Sequence, residues 1–283
     1  MVGLDLESID DLDALGQMLK LTFSNDDWQP MIKIADKLYE ETCVSYHFLE
    51  QDKEIPQTRR PLIYYFGYSQ LCKGVALQKL RKYQEARECI SRYSDLSWFK
   101  GVEDKDKYII EDFRIFSIGN SYTLDLLEGK EDRLQGYVDY LKYNKHEVFA
   151  GLITIFEAAL KYDFNIDWAL AEMKDELDVL QDSDNLARIR YYTEFLYLYA
   201  LYEYKQQNYT NAIHKNLEAL TVSSILRDNT AFKKMVCLFE SFRDYASEEQ
   251  ERNYKAQLKS IFEEMLTNEK EISYDFIHSS HTL

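Results

Sequence analysis

The sequence predicts an all-α protein, a right-handed superhelix of antiparallel helix pairs, from three observations. Glycine and proline are scarce, 9 and 3 in 283 residues, too few for the turns and bulges that sheets need. Apolar residues recur three and four apart over long stretches, as in helices buried on one face. These stretches come in pairs of roughly 35–45 residues, the period of a helical solenoid.

Residues 28–50 are periodic through Trp28, Met31, Ile32, Ala35, Leu38 and Tyr39. Pro56 and Pro61 punctuate a break over Gln57 to Arg60, since proline cannot continue a helix from within. Helices are then expected at 62–80 and 83–93, broken at Arg81-Lys82, and at 107–128 and 131–143, turning at Gly129-Lys130. Further pairs are expected at 146–162 with 166–180, 185–206 with 209–225, and 229–246 with 248–267. Residues 1–60 read as an N-terminal helical cap, 61–270 as the repeat domain in about six hairpins, and 271–283 as an irregular tail.

Two pairs share a detailed spacing. Gly74 and Ala86 lie twelve residues apart, as do Ala200 and Ala212, with Tyr83 and Tyr209 opening the second helix of each pair. Small residues at such points let two helices of a hairpin approach closely, so Ala86 and Ala212 are expected to be buried. The spacing resembles the tetratricopeptide pattern, and the units across 107–180 resemble degenerate copies of it. Lys82-Tyr83-Gln84-Glu85-Ala86, the run Tyr93 to Phe99, and the stretch from Phe149-Ala150-Gly151-Leu152 to Asn165-Ile166-Asp167 make residues 60–260 resemble a particular family. It is the tetratricopeptide-like C-terminal domain of Gram-positive bacterial and phage helix-turn-helix regulators, with peptide-pheromone sensors as broader relatives. The resemblance implies a groove for a protein or short peptide, lined on its inner wall by Tyr68, Leu71, Val75 and Gln78 in one repeat and by Glu194, Tyr197, Leu201 and Tyr204 in another. Asn120 is a further candidate there, because an amide can bond both backbone N–H and C=O. Those regulators begin with a DNA-binding domain. Here residues 1–30 carry Asp5, Glu7, Asp10, Asp11, Asp13, Asp26 and Asp27 with Lys20 the sole base, the wrong charge for phosphate.

Composition narrows the function. The 34 basic and 50 acidic residues give a net charge of −16, a field that repels nucleic acid. No P-loop, G-x-G-x-x-G, G-x-S-x-G or HExxH occurs, and the five histidines form no ligand set; His278 and His281 read as a surface tail. The expectation is a non-enzymatic binding protein without cofactor or metal, a regulator or signalling-peptide sensor. The alternatives are a phage or mobile-element inhibitor that masks another protein and, more remotely, a hydrolase. No segment is long and apolar enough to span a membrane, and the opening MVGLDLESIDD lacks the pattern of a secretory leader, so a cytoplasmic location is expected. Cys43, Cys72, Cys89 and Cys237 form no CxxC and read as buried free thiols. Tyr191, Tyr192, Tyr197, Tyr199, Tyr202 and Tyr204 crowd one helix, where rings serve either packing or recognition. Arg188 and Arg190, at the start of that helix, are candidates for a peptide carboxylate. The stripe Leu258, Ile261, Phe262 and Met265 is a candidate for capping the last hairpin or for homodimerisation.

Overall fold

Twelve α-helices and no strand occur among the residues described by the computed structural model, which are 6–55, 57–174, 186–225 and 229–268. They fall into two compact units, residues 1–133 and 134–283.

The first unit contains α1 (Leu12–Ser24), α2 (Trp28–Glu50), α3 (Leu62–Lys79), α4 (Tyr83–Tyr93) and α5 (Tyr108–Leu127). Each packs on the next in antiparallel succession. Asp11 starts α1 because its Oδ1 accepts from the backbone N–H groups of Asp13 at 2.8 Å and Ala14 at 3.1 Å, satisfying donors that a helix start leaves without partners. Leu12, Leu15 and Leu19 then fall on one face and are buried against Met31, Ala35 and Leu38 of α2 and the buried side of α3. Each such side chain contributes about 1.5–3 kcal/mol by leaving water. The residues expected as a cap thus share one hydrophobic core with the first repeat-like hairpin. Asp13 also accepts from the Tyr65 hydroxyl and, at 3.0 Å, from the Arg59 N–H, fixing the segment that enters α3.

Gly67 decides how α5 crosses α3. A Cβ there would lie 2.4 Å from the ring of Phe113, so the missing side chain is what lets that ring seat. Gly74 has the milder role that its spacing implied: its Cβ position is 3.3 Å from Cys89 Cβ and 3.7 Å from the Ala86 carbonyl. Ala86 and Ala212 are 2% and 0% exposed, as the shared spacing requires.

The second unit contains α6 (Leu134–Tyr143), α7 (Val148–Tyr162), the short α8 (Asp167–Glu172), α9 (Leu186–Lys205), α10 (Tyr209–Ile225), α11 (Asn229–Ser241) and α12 (Glu248–Asn268). Its centre is aromatic. Phe156 of α7 meets Phe195, Tyr199 and Tyr202 of α9 at ring separations of 5.6, 5.2 and 5.7 Å. The Tyr202 hydroxyl donates to Asp167 Oδ1 at 3.0 Å and accepts from the Ile166 N–H at 3.3 Å, tying the start of α8 to α9.

One turn recurs along the chain. After α3, Arg81 has φ +60°, its N–H donates to the Gln78 carbonyl at 2.9 Å, and the Lys82 N–H donates to the Leu77 carbonyl at 2.8 Å. After α9, Gln207 has φ +63°, with bonds from its N–H to Tyr204 O at 3.0 Å and from Asn208 to Glu203 O at 2.9 Å. The same pair of bonds closes α1 at Asp26, α2 at Asp52 and α5 at Gly129. This is the Schellman ending, in which a left-handed residue turns the last carbonyls back onto following N–H groups. Its recurrence after these five helices is a structural repeat that the varied residue types conceal.

Helix bounds follow the expected ones closely. The differences are α1, which is a separate helix; α8, which ends at Glu172 with Met173 as its C-cap where a helix over 166–180 was expected; and short 3-10 turns at Glu131–Arg133, Lys145–Glu147 and Arg243–Tyr245 where α-helix was expected. The anticipated end of 166–180 and the tail 271–283 lie outside the described residues. Cys72 and Cys89 are buried, Cys43 is half-buried, and Cys237 is exposed rather than buried.

Candidate functional site

On α3, Tyr68, Leu71, Val75 and Gln78 are all half-buried, between neighbours Ser69, Gln70, Cys72, Gly74, Ala76 and Leu77 that are buried. The spacing of three and four places the row along one side of the helix. Tyr68 stacks on Tyr64 at 5.3 Å, and Arg60 lies 5.2 Å from the Tyr64 ring. Burial, with the Cys72 thiol beside it, pushes the Tyr68 hydroxyl well above its ordinary pKa. Burial likewise raises Cys72 to about 12, so both groups stay neutral and act as weak donors at neutral pH.

On α9, Glu194, Tyr197, Leu201 and Tyr204 are likewise half-buried, while Phe195, Leu196, Leu198, Ala200 and Tyr202 are buried. Lys234 of α11 bonds Glu194 at 3.2 Å and sits 5.2 Å from the Tyr197 ring. These three form a partly exposed group with a cation, a carboxylate and an aromatic face. Tyr204 differs: its ring stacks on Phe242 at 5.3 Å and abuts Tyr209 at 5.4 Å, so it belongs chiefly to packing.

Val75, Gln78 and Asn120 do converge, but on a cavity of about 10 Å³ lined also by Gly74, Ala86 and Tyr93. That is the space of about one water molecule. Asn120 donates its amide to the Tyr93 hydroxyl at 2.8 Å, which braces α5 against α4. Arg190 is exposed and acts electrostatically on Tyr191. The Arg188 side chain lies outside those described. Of the stripe on α12, Leu258 and Ile261 are half-buried, and Phe262 and Met265 exposed.

A feature that sequence reasoning missed lies in the first unit. A depression of about 440 Å³ runs between α4 and α5, bordered by Arg87, Ser91, Ser94, Ser117, Ser121 and Arg133. Beneath it Asp125, with a side chain 9% exposed, accepts from Arg87 at 2.7 Å, Lys130 at 2.8 Å and Arg133 at 3.2 Å. Glu128 accepts from Arg87 at 2.5 Å and Lys130 at 3.2 Å. Burial pushes the Asp125 carboxyl upward, but the hydrogen bonds from Lys130, Arg87 and Arg133 outweigh it and hold the group below the usual carboxylate range. A sequence signal existed in the i, i+4, i+7 run Arg87, Ser91, Ser94 and the i, i+4 pair Ser117, Ser121. Nothing local, however, brings the two helices together.

Among the described residues, no three His, Cys, Asp or Glu side chains are grouped to hold a metal ion, and no helix is long and apolar enough to cross a membrane. Comparison with protein-family models, curated proteins and solved structures finds no match to this chain.

Proposed function

We propose that this chain works by binding rather than catalysis: a tetratricopeptide-like repeat protein that holds a short peptide or an extended segment of a partner protein, as a regulator or signalling-peptide sensor. The observation supporting this is the pair of half-buried rows. At eight positions, four on α3 in the first unit and four on α9 in the second, tyrosine, aliphatic, amide and carboxylate side chains stay partly open while most residues between them are buried, Lys73, Tyr199 and Glu203 being half-buried as well. Tyr204 packs on Phe242 and Tyr209, and Val75 and Gln78 line the small internal cavity; the remaining side chains keep open area, and their mixed chemistry matches an extended chain with apolar side groups and a polar backbone. Tyr197 with Glu194 and Lys234 is the strongest anchor, because it combines a large rigid ring with a charge pair at its edge. Selection of peptides from a displayed random library against the full chain tests the reading. Enrichment of a common motif supports it, and no enrichment over an unrelated helical protein contradicts it.

A further inference from the structure

We propose that the groove between α4 and α5 is a second binding site, for an acidic peptide segment whose carboxylate seats at Arg133 and Arg87. It is separate from the rows on α3 and α9 and does not depend on them.

Charge is the first ground. In a chain of net charge −16, the five ionised groups here comprise three cations, Arg87, Lys130 and Arg133, and two carboxylates, Asp125 and Glu128. Their exposure is unequal. The Asp125 side chain is 9% exposed and Arg87 27%, against 30% for Glu128, 48% for Lys130 and 53% for Arg133, so Arg133 and Lys130 are the groups most open to solvent while the main carboxylate lies below them. Arg133 gives only its Nε to Asp125, and a guanidinium carries five N–H donors in a fork that matches a carboxylate. Its plane also lies near the Tyr122 ring, at 5.9 Å, which limits its freedom before a ligand arrives.

The hydroxyls are the second ground. Ser91, Ser94, Ser117 and Ser121 all donate backward to carbonyls of their own helix turn, at 2.7, 3.1, 2.7 and 2.7 Å. A serine hydroxyl has one donor. With that donor engaged, what remains at each oxygen is acceptor capacity, suited to N–H groups and not to phosphate oxygens. A ligand with N–H groups along its backbone and a carboxylate on a side chain satisfies both parts of the groove. Ile118, 36% exposed, borders it and offers one apolar contact. The volume of about 440 Å³ suits a few residues.

The test is fluorescence anisotropy on the full chain. The probe is a labelled pentapeptide with glutamates flanking a central isoleucine; the comparisons are its glutamine isostere and an oligothymidylate. The glutamate peptide is expected to bind, to weaken with added salt, and to exceed the isostere by roughly tenfold. Arg133→Gln leaves Asp125 two cationic partners, and Ile118→Gln alters an exposed side chain. Each is expected to weaken the peptide by about fivefold or more with an unchanged melting temperature. The proposal is overturned if the glutamate peptide does not bind or binds no better than the isostere. It is also overturned if both folded variants bind as the parent does, or if oligothymidylate displaces the peptide.

Discussion

Replacing Gly67 by alanine separates two opposing effects whose sizes can be stated. In the interior of a helix the change ordinarily stabilises by about 1 kcal/mol through helix propensity. Here the new Cβ would sit 2.4 Å from Cε2 and 2.5 Å from Cζ of Phe113. Carbon atoms rest at about 3.5–4.0 Å, so the ring must withdraw by more than about 1 Å. Phe113 is 2% exposed and is enclosed by Tyr93, Phe116 and Tyr64 at 6.0, 6.0 and 6.4 Å. Overpacking of this kind costs about 1–3 kcal/mol and offsets or outweighs propensity, for an expected net loss of up to about 2 kcal/mol. Thermal unfolding followed by circular dichroism, with hydrogen exchange at the α3 and α5 amides, reads the effect. The melting temperature should fall by about 2–4 °C per kcal/mol. In a Phe113→Leu background the smaller side chain leaves room, and the same glycine replacement should become neutral or stabilising, a coupling of about 1 kcal/mol or more. A rise in melting temperature on Gly67→Ala in the parent would refute the packing of α5 across α3.

Arg81→Gly and Gln207→Gly should each stabilise by about 0.5–1 kcal/mol, because both residues hold a left-handed conformation that glycine adopts without strain; denaturant titration checks this. Asp125→Asn should cost about 1–3 kcal/mol and flatten the acid limb of the stability profile. The folded-state pKa of Asp125 lies below its unfolded value, so its contribution is complete above the ordinary aspartate pKa and is lost as pH falls below about 4. Thiol labelling should modify Cys237 fast and Cys72 and Cys89 only on unfolding, as the latter two are buried, with thiols raised to about 12 and about 11 chiefly by that burial; equal rates would contradict the register of α3 and α4. Tyr204→Ala should lower the melting temperature through lost packing on Phe242 and Tyr209.

Helix positions were legible because burial on one face imposes a period, and Ala86 and Ala212 were legible because close approach needs small residues. In α1, Asp11 followed by Leu12, Leu15 and Leu19 is a capped, periodic start, but the helix is short, spans 13 residues and lies among many acidic neighbours. The recurrent turn was hidden because aspartate, arginine, glycine and glutamine all occupy its left-handed position, where only glycine signals itself. Asn120, expected as an amide for a peptide backbone, donates instead to the Tyr93 hydroxyl, and spacing within one helix does not say which hydroxyl stands opposite. The α4–α5 groove needed the pairing of two helices and the turn at Arg133, which no local pattern supplies.

The central claim is that the half-buried rows bind a peptide or protein segment. The most direct measurement titrates the tightest library-selected peptide into the parent chain and into Tyr197→Ala, Glu194→Ala and Gln78→Ala, with melting temperatures recorded alongside. The account predicts that Tyr197→Ala weakens binding by about tenfold, roughly 1.4 kcal/mol, without a shift in melting temperature. Binding at parental affinity by all three variants would contradict it, as would a Tyr197→Ala protein that loses stability and retains affinity.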